Sequence, residues 1–171
     1  MNDSDYENLV TMGFLSQESR EFKWLVNIVD EINPTIIIEI GSSPGSALRF
    51  WCEIVSKNKN NMIISVDLNN DRDWCFTREK ANLHVVTGDS THANTISEVE
   101  TILNGRKADF LFIDGNHEYE YVKKDFENYS KFVRNGGIVG FDDLGNGDPQ
   151  RFFLEIQGTK QRMHRYGYWI K

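Results

Sequence analysis

Apolar positions along this chain keep two alternating rhythms. Phe22, Leu25, Val26 and Val29 recur at helical spacing, with Ser16 as the expected N-cap and Pro34 as the stop. Thr35-Ile36-Ile37-Ile38-Glu39-Ile40 follows as a short β-branched run, the pattern of a strand covered on both faces. Ser43-Pro44 reopens a helix, proline sitting well at a first helical position, and this helix carries Ala47, Leu48, Trp51, Ile54 and Val55. The cycle then repeats. A strand over 62–66 ends in Asp67, a weaker helix occupies 71–80, and a strand over 83–87 is closed by Gly88-Asp89-Ser90. A helix over 95–103 leads to a strand over 110–113 that ends in Asp114-Gly115. The next helix spans 119–133 and is stopped by Asn135-Gly136-Gly137, before a strand over 138–141 that ends in Asp142-Asp143. A short helix over 149–156 and one or two strands within 163–170 follow.

Five β/α alternations predict an α/β fold, a doubly wound, mainly parallel Rossmann-like sheet with right-handed crossovers. Ligands of such sheets bind beyond the carboxyl ends of the strands, where the strand order reverses. No repeat or Pro/Ser-rich linker interrupts the 171 residues, so one domain is expected: a helical segment over 1–34, a cofactor-binding core over 35–143 and a helix-and-strand tail over 144–171.

Composition narrows the partners. Hydrophobic residues make up 39% and charged residues 26%, a soluble globular balance. No apolar run of about 18 residues exists, so no membrane partner is expected. The opening Met1-Asn2-Asp3-Ser4-Asp5 is acidic where a secretory signal is basic and then apolar, which reads as cytoplasmic. Cys52 and Cys75 are too few for a disulfide framework or zinc site. The net charge is −7 and no Lys/Arg cluster stands out, which argues against nucleic acid and for a small-molecule substrate.

Chemistry concentrates at the strand ends. Gly41, Asp67, Asp89, Asp114 and Asp142 would all line one edge of a parallel sheet. In the first loop, Glu39-Ile40-Gly41-Ser42-Ser43-Pro44-Gly45-Ser46, the two glycines clear side chains where backbone passes close to a ligand. The following helix aims its first amides at that ligand. A dinucleotide fingerprint needs glycine at the third and sixth positions, but Ser43 and Ser46 stand there, and no Gly-Lys-Ser/Thr makes a P-loop. Asp67, 26 residues after Gly41, suits the hydroxyls of a ribose, or else caps a helix. Asp89 and Ser90 suit the amine edge of an adenine, or else cap the next helix. The loop therefore reads as a site for an adenosine-containing cofactor.

Together these residues resemble a family. Glu39-Ile40-Gly41 with Gly45-Ser46, then Asp67, then Asp89, is similar to the class I S-adenosylmethionine-dependent methyltransferase pattern. The stretches from Asp109 to Tyr119 and from Asn135 to Asp143 narrow the likeness to the small-molecule O-methyltransferases of the cephalosporin hydroxylase-like and macrolide-sugar group. The resemblance covers roughly residues 35–155. It implies that Glu39, Gly41, Ser42, Gly45 and Ser46 border the methionine part of the cofactor, Asp67 the ribose, and Asp89 and Ser90 the adenine, with Asp114 also beside the cofactor. It implies Mg²⁺ or another hard dication on Asp114, Asp142 and Asp143, and His117 as the base. Several relatives carry Glu-Asp where this chain has Asp142-Asp143, so ligand reach differs here.

That reading agrees with the residues' own chemistry. A hydroxyl is a poor nucleophile at neutral pH and needs a base, a metal, or both. Ends of neighbouring strands lie about 5 Å apart, so Asp114 and Asp142 make a site for an oxygen-seeking cation. An imidazole three residues after Asp114 suits proton removal. His84, His92 and His164 receive no role, and Tyr119, Tyr121, Phe126, Tyr129 and Phe132 read as core packing of one helix. A competing reading is a cofactor-binding module completed by a partner subunit or a second copy of the chain, since little chain follows Asp143 to form a lid. A nucleic-acid methyltransferase lacks its Asn/Asp-Pro-Pro-aromatic motif, and an NAD enzyme its glycines.

Overall fold

The computed structural model describes residues 3–11, 20–42, 46–69 and 82–171, with Thr11 and Ser46 by backbone alone. The expected cap Ser16, the helix over 71–80, Cys75, Trp74 and Phe76 lie outside the described residues.

Helices α1 (Asp3–Thr11) and α2 (Arg20–Glu31) precede β1 (Ile36–Ile40), α3 (Ser46–Val55), β2 (Met62–Asp67) and β3 (Asn82–Thr87). Next come α4 (Ala93–Leu103), β4 (Ala108–Ile113), α5 (Tyr119–Tyr129), β5 (Val133–Phe141), α6 (Asp148–Glu155), β6 (Lys160–Met163) and β7 (Tyr166–Ile170). The strands form one sheet in the order β3-β2-β1-β4-β5-β7-β6. Pairs from β3 to β5 are parallel, while β7 runs antiparallel between β5 and β6. Strand order reverses between β1 and β4, which fixes where a ligand crevice opens.

Period-two alternation sorts β1 between two cores. Ile36, Ile38 and Ile40 face the layer that holds Val99 of α4, Val122 of α5 and Phe152 of α6. Ile37 faces the other layer, with Phe22, Leu25 and Trp51 of α2 and α3. Glu39 shares the face of Ile37 and is fully buried; its Oε1 accepts the indole N–H of Trp51 at 3.0 Å. A charged residue inside this strand is tolerated because that donor awaits it.

The edge opposite the crevice is tied by Asp109. Its Oδ2 accepts the N–H of Thr35 at 2.8 Å, the Thr35 hydroxyl at 2.8 Å and the N–H of Ile36 at 3.2 Å, and its Oδ1 accepts Arg134 Nε at 2.6 Å. Burial works to raise this carboxyl, but the bonds from Arg134 and Thr35 outweigh it and hold Asp109 below the usual carboxylate range. A depressed aspartate contributes stability above its unfolded value and loses it as pH falls through the folded one. Asp109→Ala is expected to cost about 2 kcal/mol, or roughly 5 °C in Tm, at pH 7. The deficit should shrink in acid, where the native protein loses the same bonds. Melts at both pH values check this.

The boundary between α5 and β5 departs most from the sequence reading. The helix expected over 119–133 stops at Tyr129, a 3₁₀ turn covers Ser130–Phe132, and β5 begins at Val133. Asn135-Gly136-Gly137 therefore lies within the strand and does not end the helix. Pairing passes from Ala108↔Val133 to Phe110↔Ile138, so several residues of β5 bulge out against one of β4. Gly136 sits at φ 73°, and a Cβ on Gly137 would meet the Asp109 carbonyl at 3.0 Å. Both glycines serve the bulge.

Candidate functional site

The crevice is built on one close approach. Gly41 leaves β1 at φ 80°, and a Cβ there would lie 2.1 Å from the carbonyl oxygen of Asp114. Only glycine permits β1 and β4 to end side by side in this way. Asp114 N–H donates to the Ile40 carbonyl at 2.9 Å, and Gly41 N–H to the Val66 carbonyl at 2.9 Å. A cavity of about 380 Å³ opens above these ends, lined by Gly41, Asp67, Leu68, Gly88, Asp89, Ser90, Asp114, Gly115, Asn116 and Tyr121. That volume suits a cofactor-sized molecule.

Of the expected cofactor residues, Gly41, Asp67, Asp89, Ser90 and Asp114 are brought together on this wall. Glu39 and Ser42 lie behind it, Ser42 sharing a 2.6 Å hydroxyl contact with Ser65. Gly45 lies outside the described residues, and the backbone of Ser46 begins α3. Asp67 braces the loop: Oδ2 accepts the Ser42 N–H at 2.8 Å and Oδ1 the Asn69 N–H at 2.9 Å. Asp89 Oδ1 accepts the amide and hydroxyl of Thr91 at 2.8 and 2.7 Å, bonds that hold its carboxyl below the ordinary range. The helix-capping alternative for Asp89 and Ser90 does not hold: His92 stands at the N-cap of α4, and Asp89 closes a turn on Thr91 while lining the cavity. Tyr121, read from sequence as core packing, stands on this wall instead. Its neighbours at helical spacing gave no sign of that, because the wall is made by another strand's loop.

A second cluster adjoins the cavity. His117 Nδ1 lies 2.8 Å from Asp143 Oδ2, and its Nε2 lies 3.5 Å from Asp114 Oδ1. The loop carrying it is fixed at both ends. Asn116 Oδ1 accepts the Glu118 N–H at 2.9 Å, and Asp148 of α6 accepts the first amide of α5 at 3.1 Å. Asp143 stands at φ 56°, a conformation that aspartate tolerates better than most residues. Burial raises the Asp114 carboxyl well above its ordinary value; Asp142 adds to the rise and His117 opposes it. The bond to Asp114 in turn raises His117 against the effect of burial.

Arg165 was not foreseen. Its Nε lies 3.0 Å from Asp142 Oδ1 and its Nη2 3.2 Å from Asp142 Oδ2, and the same Nη2 reaches Asp143 Oδ1. Asp142 is only 3% exposed, so the guanidinium compensates a carboxylate that burial otherwise pushes upward. The residue arrives through the antiparallel insertion of β7. Leu144 N–H donates to the Arg165 carbonyl at 2.8 Å, and Arg162 donates to the Leu144 carbonyl at 3.1 Å. His117, Asp143, Asn146, Asp148 and Arg165 line a second, polar hollow. Among the described residues, no three His, Cys, Asp or Glu side chains stand arranged as a metal site.

Strand order and crevice define a class I methyltransferase fold, with seven strands of which the last inserts antiparallel. The chain belongs to the family described as Methyltransferase domain, whose pattern matches residues 38–144. Among solved structures it is similar to the MycE methyltransferase of mycinamycin biosynthesis in complex with Mg, SAH and mycinamycin VI (TM-score 0.71, 17% identity, 94% of this chain and 52% of that one). It is also similar to an O-methyltransferase from Bacillus cereus in complex with SAH (TM-score 0.70, 16% identity, 100% and 92%). A calicheamicin methyltransferase shows the same fold (TM-score 0.66, 14% identity, 99% and 80%). An uncharacterized protein of Acanthamoeba polyphaga mimivirus is 29% identical over 120 residues, 62% of this chain and 50% of its own length. The chain thus spans about half the length of that relative and of MycE. No helix among the described residues is long and apolar enough to cross a membrane.

Proposed function

We propose that the chain is an S-adenosylmethionine-dependent O-methyltransferase acting on a small hydroxylated molecule such as a sugar or natural product. The observation that carries this reading is the seat of His117. Its imidazole stands between Asp114, on the wall of the first cavity, and Asp143, on the wall of the polar hollow. A base there faces the hollow open to an acceptor and adjoins the cofactor cavity through Asp114. Gly41, with Ser42, Gly45 and Ser46 in the same loop, borders the methionine part, and Glu39 supports that loop from beneath by its bond to Trp51. Asp67 serves the ribose, and Asp89 with Ser90 the adenine.

Transfer is a displacement at carbon. The acceptor oxygen attacks the methyl carbon, the carbon–sulfur bond breaks, and its electron pair stays on sulfur. The hydroxyl proton passes to His117 Nε2, while Asp143 holds Nδ1 and keeps the ring in place.

The donor set fits a hard dication in kind, since Asp114, Asp142 and Asp143 offer carboxylate oxygens alone. Mg²⁺ held by these residues would lower the pKa of the acceptor hydroxyl. Arg165 is the cation on Asp142 and Asp143 in this structure, so a dication has to compete with it. Calorimetry with S-adenosylmethionine tests the cofactor reading, and absence of binding would sink it. Mn²⁺ titration followed by electron paramagnetic resonance tests the metal. Arg165→Met is expected to tighten Mn²⁺ binding roughly tenfold, the effect of removing one half-exposed like charge. Unchanged affinity in that variant would show that the guanidinium and the ion do not share the site.

A second reading is favoured by the half-length match to MycE. Here the domain binds cofactor and a partner, or another copy of the chain, supplies the acceptor walls. Methylation assays over mixed acceptors, with the chain alone, separate the two.

A further inference from the structure

Helix α5 carries one carboxylate that the reaction above does not use. Asp125 is 1% exposed. Its Oδ1 accepts the Ser90 hydroxyl at 2.6 Å, while its Oδ2 is buried without a hydrogen-bond partner. That oxygen lies beneath the crevice floor, where a Cβ on Gly115 would come within 3.5 Å of it. One turn further along the helix, Tyr129 donates its hydroxyl to the Ser90 carbonyl at 2.9 Å. Two side chains at helical spacing therefore grip Ser90 from below, one at its hydroxyl and one at its carbonyl. Ser90 and Gly115 both line the cofactor cavity.

An apolar side chain would meet a purely packing role here, whereas the Ser90 hydroxyl needs an acceptor beneath it. Burial raises Asp125 to about 6, with the Ser90 bond opposing and Asp89 adding to the rise. The group is thus held at a cost, and it acts on one residue of the cavity wall.

We propose that Asp125 is a positioning residue for the cofactor's base: by holding Ser90 it fixes the Gly88–Ser90 loop against the edge of the purine. The inference rests on the assignment of Asp89 and Ser90 to the adenine, and adds the residue that sets their geometry. Nothing in this role touches the reacting atoms. Its signature is the selectivity between amino and oxo purines, which a purely structural residue would leave alone.

Calorimetry with S-adenosylhomocysteine and with S-inosylhomocysteine, its 6-oxo analogue, tests this on the full chain. Asp125→Ala is expected to weaken S-adenosylhomocysteine roughly tenfold and to narrow its preference over the oxo analogue. Asp125→Asn should recover affinity to within about threefold, because its amide oxygen still accepts from Ser90. Ser90→Ala removes the same bond from the other side and should match Asp125→Ala, with the double variant no worse than either. Thermal melts establish that each variant is folded; if Asp125→Ala fails to fold, Ser90→Ala and Asp125→Asn carry the test. The proposal is overturned if Ser90→Ala, or a folded Asp125→Ala, retains native affinity and selectivity. A native protein that binds neither ligand overturns the cofactor reading along with it.

Discussion

Gly41→Ala is expected to abolish cofactor binding and to destabilise the fold. The new methyl carbon would sit 2.1 Å from the carbonyl oxygen and 2.4 Å from the carbonyl carbon of Asp114. Both are backbone atoms just past the end of β4, so no side chain can swing aside. Relief requires β1 and β4 to part at the point where the crevice opens. Alanine must also hold φ 80°, which glycine adopts freely. Overpacking and backbone strain together amount to roughly 3 kcal/mol or more. A melt should show the loss of stability, and calorimetry with S-adenosylhomocysteine at least a hundredfold loss of affinity. A variant with native Tm and native affinity would refute the close-approach account.

His117→Ala is the complementary case, with binding intact and chemistry lost. Removing a positioned base typically lowers turnover by about 10²- to 10⁴-fold. The imidazole is not among the residues lining the cofactor cavity, so affinity for S-adenosylhomocysteine should stay within about twofold. The variant also leaves Asp114 and Asp143 without their shared partner, so His117→Gln, which retains a donor, is the better control for folding. Added imidazole should restore part of the rate in His117→Ala, since the vacated space adjoins an open hollow. Turnover that falls less than threefold would remove His117 from the reaction.

Much of this was readable from the sequence, for identifiable reasons. Strands with near-continuous apolar runs, such as Ile36–Ile40, announce a parallel sheet, and polar residues at their ends then fall on one edge by topology alone. Asp67, Asp89 and Asp114 could therefore be placed on the cavity wall before any contact was known. What escaped depends on pairings distant in sequence. Arg165 is 22 residues from Asp143, and only the insertion of β7 beside β5 brings the two together. Nothing in the sequence singles out Asp125, because its partner Ser90 is 35 residues away. The β5 bulge was mistaken for a helix end because two glycines signal both, and propensity does not weigh strand pairing.

The place of β7 also bears on how the molecule is made. Tyr166 packs its ring 5.3 Å from that of Phe22, and Tyr168 lies 5.6 Å from Trp24. The apolar face of α2 is thus completed by a strand that emerges from the ribosome more than 130 residues after it. Parallel pairing already makes such a sheet slow to assemble. A nascent chain reaching Phe141 would hold the parallel strands β1 to β5 and still lack the cover that Tyr166 and Tyr168 give Phe22 and Trp24. Completion of this fold is therefore a late event, set by synthesis of the hairpin that also delivers Arg165 to the crevice.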